Sequence, residues 1–171
     1  MHIRDLALSD VDNLLEFELE NRVWFEQFIA ARPDNFFSAA MVRDHIRAYL
    51  LSRQQGKFHG CVVVDESGKI IARANLREIN LKRATAEIGY RVGQAYCGRG
   101  VASSATRYLI GLAYNEWKIK QLGALVITHN IASARVLEKN GFVKVALHTR
   151  MAAIKSGRFD CFEYRHVHAK K

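Results

Sequence analysis

The 171-residue sequence predicts an α/β (α+β) fold in one domain over residues 1–171, and three observations predict it. From Phe58 to Glu87, runs of branched and aromatic residues are separated by the turn stretches Asp65-Glu66-Ser67-Gly68-Lys69 and Asn80–Arg83, the signature of an antiparallel meander. Glu87–Tyr114 then reads as a strand over Ala86–Val92, a turn over Gly93–Gly100 with three glycines, and a long helix from about Val101. That helix repeats apolar residues at Val101, Ala105, Leu109, Leu112 and Ala113, one face at helical spacing. Finally, Leu122–Thr128 is branched and bounded by Gly123, as in a strand of parallel type.

In chain order, Met1–Leu8 reads as a short strand, and Ser9-Asp10-Val11-Asp12 as a helix start, with Ser9 as cap and acids in the first turn. Val11, Leu14, Leu15 and Leu19 continue that helix. Asn21–Phe37 is dense in aromatics, either simple packing or the wall of a substrate pocket. A second helix starts at Ser38, carries Val42, Ile46, Tyr49 and Leu50 inward, and ends at Gly56. Phe58–Val64 and Ile70–Glu78 form the hairpin that leads into the Glu87 strand. After Leu122–Thr128, a short helix over Asn130–Asn140 stops at Gly141. Phe142–Leu147 and Phe159–Val167 are the last strands, joined through the turn Lys155-Ser156-Gly157-Arg158, and Ala169-Lys170-Lys171 is a tail.

Composition bounds the function. Apolar residues are 49% and charged residues 25%, as in globular proteins, and no apolar run approaches the ~20 residues of a membrane span. Met1–Asp10 is short, mixed and charged, unlike a signal peptide. Cys61, Cys97 and Cys161 form no C-x-x-C pair, so a reduced, cytoplasmic setting is expected, with no disulfide scaffold and no metal site. The net charge of +9 suits an anionic partner such as a polyphosphate cofactor, ribosomal RNA or an acidic protein, or is simply a soluble basic surface.

A glycine turn feeding a helix leaves backbone N–H groups aimed at one point, and with the helix dipole they form a site for phosphate-like anions. Gly98 and Gly100 let the backbone approach such a ligand. A nucleotide-hydrolysing P-loop would need Gly-Lys-Ser/Thr, which is absent. A dinucleotide loop needs three glycines in a βαβ unit; Gly98-Arg99-Gly100-Val101-Ala102-Ser103 has two, after a meander.

Ala95-Tyr96-Cys97-Gly98-Arg99-Gly100 resembles the pyrophosphate loop of the GNAT N-acetyltransferases, Q/R-x-x-G-x-G/A, with the glycines in place and Ala95 at the first position. The stretch from Asn130 through Ser133 and Arg135 to Gly141-Phe142 is similar to that family's N-x-x-S-x-x-x-x-x-x-x-G-F segment. The order β-α-α-β-β-β-α-β-α-β-β also looks like the GNAT fold over nearly the whole chain. Asn21-Arg22-Val23-Trp24-Phe25, Ala86–Tyr90 and Gly157–Asp160 further resemble the RimJ/RimL group of N-terminal acetyltransferases, and spermidine acetyltransferases share much of this pattern.

The resemblance implies a mostly antiparallel mixed sheet, splayed at its centre and flanked by helices, with acetyl-CoA in the splay. Backbone groups of Tyr90, Arg91 and Val92 would pair with the pantetheine arm. The amides of Cys97, Gly98, Arg99, Gly100, Val101 and Ala102 would hold the pyrophosphate. Arg99 would add charge there or sit in solvent. Asn130 would hydrogen-bond the arm, cap its helix, or both, and Arg135 would reach a CoA phosphate. The expected acceptor is a primary amine, most of all a protein N-terminus of ribosomal type. A polyamine or drug is the alternative, as is a non-catalytic acyl-CoA-binding or RNA-associated module. The protein would associate with ribosomes but not membranes, as monomer or homodimer.

Attack of a neutral amine on a thioester needs a group to take the amine proton, donors for the developing oxyanion and an acid for the leaving thiolate. Glu87 matches a position where several GNAT enzymes carry a glutamate base; otherwise it is an ion-paired or solvated strand residue. Ser133 is a candidate thiolate donor or a helix-start residue, Tyr164 a further candidate acid, and His129 a candidate proton carrier. Cys97 precedes a helix N-terminus, which favours a lowered thiol pKa, but beside the pyrophosphate it is far from the thioester and is not expected to carry acyl groups.

Overall fold

A computed structural model describes residues 1–168; the tail Ala169-Lys170-Lys171 lies outside them. Seven strands form one sheet in the order β1-β2-β3-β4-β5-β7-β6. They are β1 (His2–Asp5), β2 (His59–Val64), β3 (Ile70–Asn80), β4 (Thr85–Val92), β5 (Gln121–Ile127), β6 (Val143–Ile154) and β7 (Gly157–Val167). Every neighbouring pair is antiparallel except β4 and β5. The helices are α1 (Val11–Glu20), α2 (Arg22–Phe25), α3 (Ala39–Gln54), α4 (Val101–Asn115) and α5 (Ile131–Lys139). None is long and apolar enough to cross a membrane.

The sheet divides two cores. Alternation along β2 sends Cys61 and Val63 to one face and Val62 and Val64 to the other, as a two-sided buried strand requires. On the first face α4 buries the apolar stripe anticipated from sequence, Val101, Ala105, Leu109, Leu112 and Ala113, and α5 adds Leu137. On the other, Leu14 and Phe17 of α1 meet Val42 and Ile46 of α3. Burying each such side chain contributes on the order of 2 kcal/mol.

Local signals set most boundaries. Ser38 caps α3, its hydroxyl accepting from the Met41 amide at 3.3 Å. Ser9 does not cap α1. It lies inside a 3-10 turn, Leu8–Asp10, braced by Asp10, whose carboxylate accepts from the Ala7 amide (2.9 Å) and from Arg4 (2.6 and 2.8 Å). The strand expected over Met1–Leu8 therefore ends at Asp5. The strand expected to end at Leu147 runs on to Ile154. Its register shifts at Lys144/Ala146 and His148/Ala152, with Arg150 at φ +51°, breaking the alternation by which the strand would have been read.

Candidate active site

The parallel pair is the key to the site. β4 and β5 are in register only at Thr85–Gln121, Ala86–Leu122 and Glu87–Gly123. Beyond that, β4 stays with β3 up to Val92 and β5 stays with β7 up to Ile127, so the sheet opens in a V. A cavity of about 460 Å³ fills the V. Tyr90, Arg91 and Val92 line one side and Leu125, Val126 and Ile127 the other. Residues of α4 and α5 line it on one face and Trp24, Phe25, Phe28 and Ile29 on the opposite face, so it passes through the sheet.

At one mouth lies the glycine loop. Gly98 (φ +75°) and Gly100 (φ +79°) take left-handed conformations, and a Cβ added at either would stand in open space. Gly100 caps α4 without a side-chain bond, and the first amide to join the helical ladder is that of Ser104, on the Gly100 carbonyl at 2.9 Å. The amides of Val101, Ala102 and Ser103 are therefore left to a ligand. The Cys97 amide is already given to the Gln94 carbonyl (3.2 Å). Its thiol lies 3.6 Å from the Gly93 carbonyl, and burial pushes its pKa up, opposite to the direction expected before a helix.

Cys97, Gly98, Gly100, Val101 and Ala102 all line the cavity, with Asn130, Ser133 and Arg135 of the second motif. Asn130 caps α5, its side-chain carbonyl accepting from the Ser133 amide at 3.1 Å. Ser133 Oγ is 2.9 Å from the Tyr90 hydroxyl, which spans from β4 to α5. Burial raises the Tyr90 pKa to about 12, so the phenol stays protonated. Arg99 is outside the lining, exposed with its guanidinium 5.6 Å from the Tyr96 ring.

Glu87 also falls outside the lining. It stands at the closed end of the V, on the face opposite buried Ala86 and Ile88, paired with Arg77 at 3.0 Å. Tyr164 is fully buried and donates to Glu138 at 3.0 Å, and His129 packs between Phe28 and Phe159. Neither lines the cavity.

Three features escaped the sequence. Lys139 joins Arg135 at the cavity, and its i,i+4 spacing on a short helix was the available signal. Trp24 donates its indole N–H to the Val92 carbonyl at 3.2 Å, holding α2 against the free edge of β4. Asn21 accepts from the Gln94 amide (2.8 Å) and donates to the Phe17 carbonyl (2.9 Å), tying α1 to the glycine loop.

Behind α2 is a charge knot. Glu18, 2% exposed, meets Arg73 (2.7 Å), Arg91 (3.0 Å) and Arg32 (3.4 Å). Burial alone would raise its pKa, yet Arg91, Arg73 and Arg32 together hold it down at about 2. His45, pushed to about 3 by burial and then by Arg73 and Arg32, is neutral, and its Nε2 accepts from Arg73 at 3.3 Å.

Away from the cavity, Asp5, His59 and Cys61 bring ligand-type atoms within 4.8 Å of one another. His59 Nδ1 accepts from Trp117 at 2.9 Å, so Nε2 carries the proton donated to Asp5 at 2.7 Å. The group is thus a hydrogen-bonded chain, closed by Arg53 on Asp5 at 2.7 Å.

A sheet split between β4 and β5, with a glycine loop at the head of α4, defines an acyl-CoA-dependent transferase of the GNAT type. Residues 1–143 match the family model described as Acetyltransferase (GNAT) domain, and the chain belongs to that family. It is 31% identical over 147 residues, 84% of this chain and 81% of the other, to a probable N-acetyltransferase of Bacillus subtilis, YjcK. Among solved structures, a ribosomal-protein-S5-alanine acetyltransferase from Vibrio fischeri superposes with a TM-score of 0.92 at 22% identity, covering 96% of this chain and 91% of that one. A RimL ribosomal L7/L12 α-N-protein acetyltransferase in complex with coenzyme A gives 0.90 at 20% identity, covering 96% and 92%. A spermidine N-acetyltransferase from Vibrio cholerae gives 0.78 at 16% identity, covering 98% and 95%.

The protein is thus a GNAT acetyltransferase, with acetyl-CoA as its co-substrate. The residues present fit that molecule: unpaired amides at the head of α4, glycines whose missing Cβ leaves the cradle open, and Arg135 and Lys139 beside it.

Proposed function

We propose that the protein acetylates the N-terminal amine of another protein, of ribosomal type, in the cytoplasm. One observation carries this choice of acceptor. On the α2 side the cavity offers aromatic rings and the guanidinium of Arg91, and none of its lining residues is acidic. A polyamine, cationic along its length, would find no counter-charge there, whereas a peptide chain can lie on the aromatic wall of Trp24, Phe25 and Phe28. The net charge of +9 supports association with a ribosomal surface.

Acetyl-CoA supplies the thioester whose carbonyl the amine attacks. The amides of residues 98 and 100–103, with Arg135, hold its phosphates, and the open edge of β4 at Tyr90–Val92 receives the arm. Trp24 must release the Val92 carbonyl if that group is used. As the new C–N bond forms and the C–S bond breaks, Ser133 Oγ, fixed by the Tyr90 hydroxyl, is the group we assign to give the leaving thiolate its proton, so that free CoA thiol departs. Glu87, at the closed end of the V, takes the amine proton through water, because its carboxylate does not line the cavity itself.

The experiment for the acceptor is thiol release from acetyl-CoA against N-terminal peptides, spermidine and small amine drugs. Peptide turnover well above the others is expected; turnover of spermidine alone overturns the reading. Glu87→Gln, which keeps size but removes basicity, is expected to lower kcat about 10²-fold without weakening acetyl-CoA binding. The loss should shrink at high pH, where the amine is already neutral. Full turnover across the pH range would make Glu87 structural.

A further inference from the structure

Amine acetylation as such does not account for Arg91. Its side chain leaves β4 on the α2 face, stands 5.3 Å from the Phe25 ring, and lines both the cavity and a hollow of about 10 Å³ beside it. Arg135 and Lys139, the other charged side chains lining the cavity, both lie on α5 near the glycine loop. Arg91 is therefore the charged group at the acceptor end.

The carboxylate that Arg91 meets does not neutralise it. Glu18 engages only Nη1, at 3.0 and 3.4 Å, and is shared with Arg73 and Arg32. Three guanidiniums thus face one carboxylate. The other acid at the hollow, Glu26, is taken by Arg22 (3.1 Å) and Lys155 (3.3 Å), and His45 accepts a bond from the same knot as a neutral ring. No buried side-chain nitrogen or oxygen lacks a partner among the described residues. Nε and Nη2 of Arg91 meet no acceptor among the described residues, and the side chain keeps 24% of its surface exposed. A planar, largely buried guanidinium with two donors that the protein leaves unmet is a receptor for a carboxylate.

We propose that Arg91 reads a carboxylate close to the acceptor's amine: an Asp or Glu side chain next to the first residue of a protein, or the α-carboxylate of a free amino acid. This rests on the reading that the acceptor enters from the α2 side. It predicts a substrate class, amines with a neighbouring negative charge, to which a polyamine does not belong.

The test uses the purified enzyme, acetyl-CoA and amidated tetrapeptides that start with serine and differ only at the second residue (Asp, Asn or Lys), with free serine and serine amide alongside. The Asp peptide is expected to exceed the Lys peptide by about 10-fold or more in kcat/KM, the worth of one hydrogen bond to a charged group, with Asn between them. Arg91→Met should erase the preference, bringing the ratio of kcat/KM for the Asp and Lys peptides to about one whatever its basal rate. Arg91→Lys, which keeps the charge beside Glu18 but loses the two-pronged donor, should reduce it. Peptides acetylated regardless of their second residue, or a preference undiminished in both variants, would overturn the role of Arg91 and leave the N-terminal reading standing. Turnover of free serine, with its amide and the peptides idle, would keep the carboxylate rule and overturn the N-terminal reading.

Discussion

Gly100→Val is expected to abolish acetyl-CoA binding in a protein that still folds. The residue sits at φ +79° with open space where a Cβ would project, so the added side chain meets no protein atom. It would stand at the head of α4, next to the Val101, Ala102 and Ser103 amides expected to hold the phosphates. Forcing a branched residue into the left-handed region costs roughly 1–2 kcal/mol, a modest fraction of the stability of a domain this size. Losing two hydrogen bonds to a charged group costs on the order of 10²-fold or more in affinity. Gly98→Val, at φ +75°, should behave alike. Thermal unfolding is the measurement. At a hundredfold excess over Kd, acetyl-CoA should stabilise the wild type by about 2.7 kcal/mol, and neither NAD nor ATP should. The variants should unfold slightly earlier and ignore acetyl-CoA. Unchanged affinity by calorimetry would place the phosphate cradle elsewhere.

Glu18→Gln is expected to be the most destabilising single polar substitution in the molecule. The carboxylate is 2% exposed and is the common counter-charge of Arg32, Arg73 and Arg91. An amide leaves one acceptor oxygen and turns two N–H donors toward guanidiniums that can only donate. Removing one partner of a buried ion pair costs about 3–5 kcal/mol, which for this length lowers Tm on the order of 10 °C. The pH dependence has a definite sign. The Glu18 pKa is about 2 in the folded protein against an ordinary 4.5, so its contribution is fully present above pH 4.5 and is lost as pH falls toward 2. Denaturant unfolding of both proteins should therefore converge at the acid end of that window. A wild-type-like Tm for Glu18→Gln would mean the arginines find water instead.

Features written in consecutive residues were legible from the sequence. The glycine loop, the α4 stripe, the helix start at Ser38 and the Asn130–Ser133 turn each lie within one local segment and stand where the pattern put them, whereas Ser9 falls inside a 3-10 turn. The opening of β4 from β5 was not read from periodicity; it came with the family resemblance. Features that depend on distant residues meeting were invisible. Glu18 collects arginines from positions 32, 73 and 91, and Asn21 reaches Gln94. Charge alone gave no hint that these would share one buried knot, because each reads as a surface residue in its own segment. The same gap explains Cys97 and Tyr164. The Cys97 thiol was judged by its distance from a helix end, but its direction of shift is set by burial. Residue type alone makes Tyr164 a candidate acid, but its hydroxyl points into the core toward Glu138. Glu87 reads from sequence as a base or as an ion-paired strand residue, and only the pairing of β4 with β3 brings Arg77 beside it.

The V between β4 and β5 carries the glycine loop at one end and the aromatic residues of α2 at the other. A blind pocket would make its visitors queue, each leaving before the next enters. With acetyl-CoA expected at the first end and the amine at the second, neither reactant blocks the other. The two can be resident together in either order of arrival, and the acyl group can cross in one step without being parked on the protein. Initial-velocity lines for the two substrates are expected to intersect, as a ternary-complex rate law requires, and parallel lines would overturn direct transfer. The split in the sheet governs the order of events as well as their location.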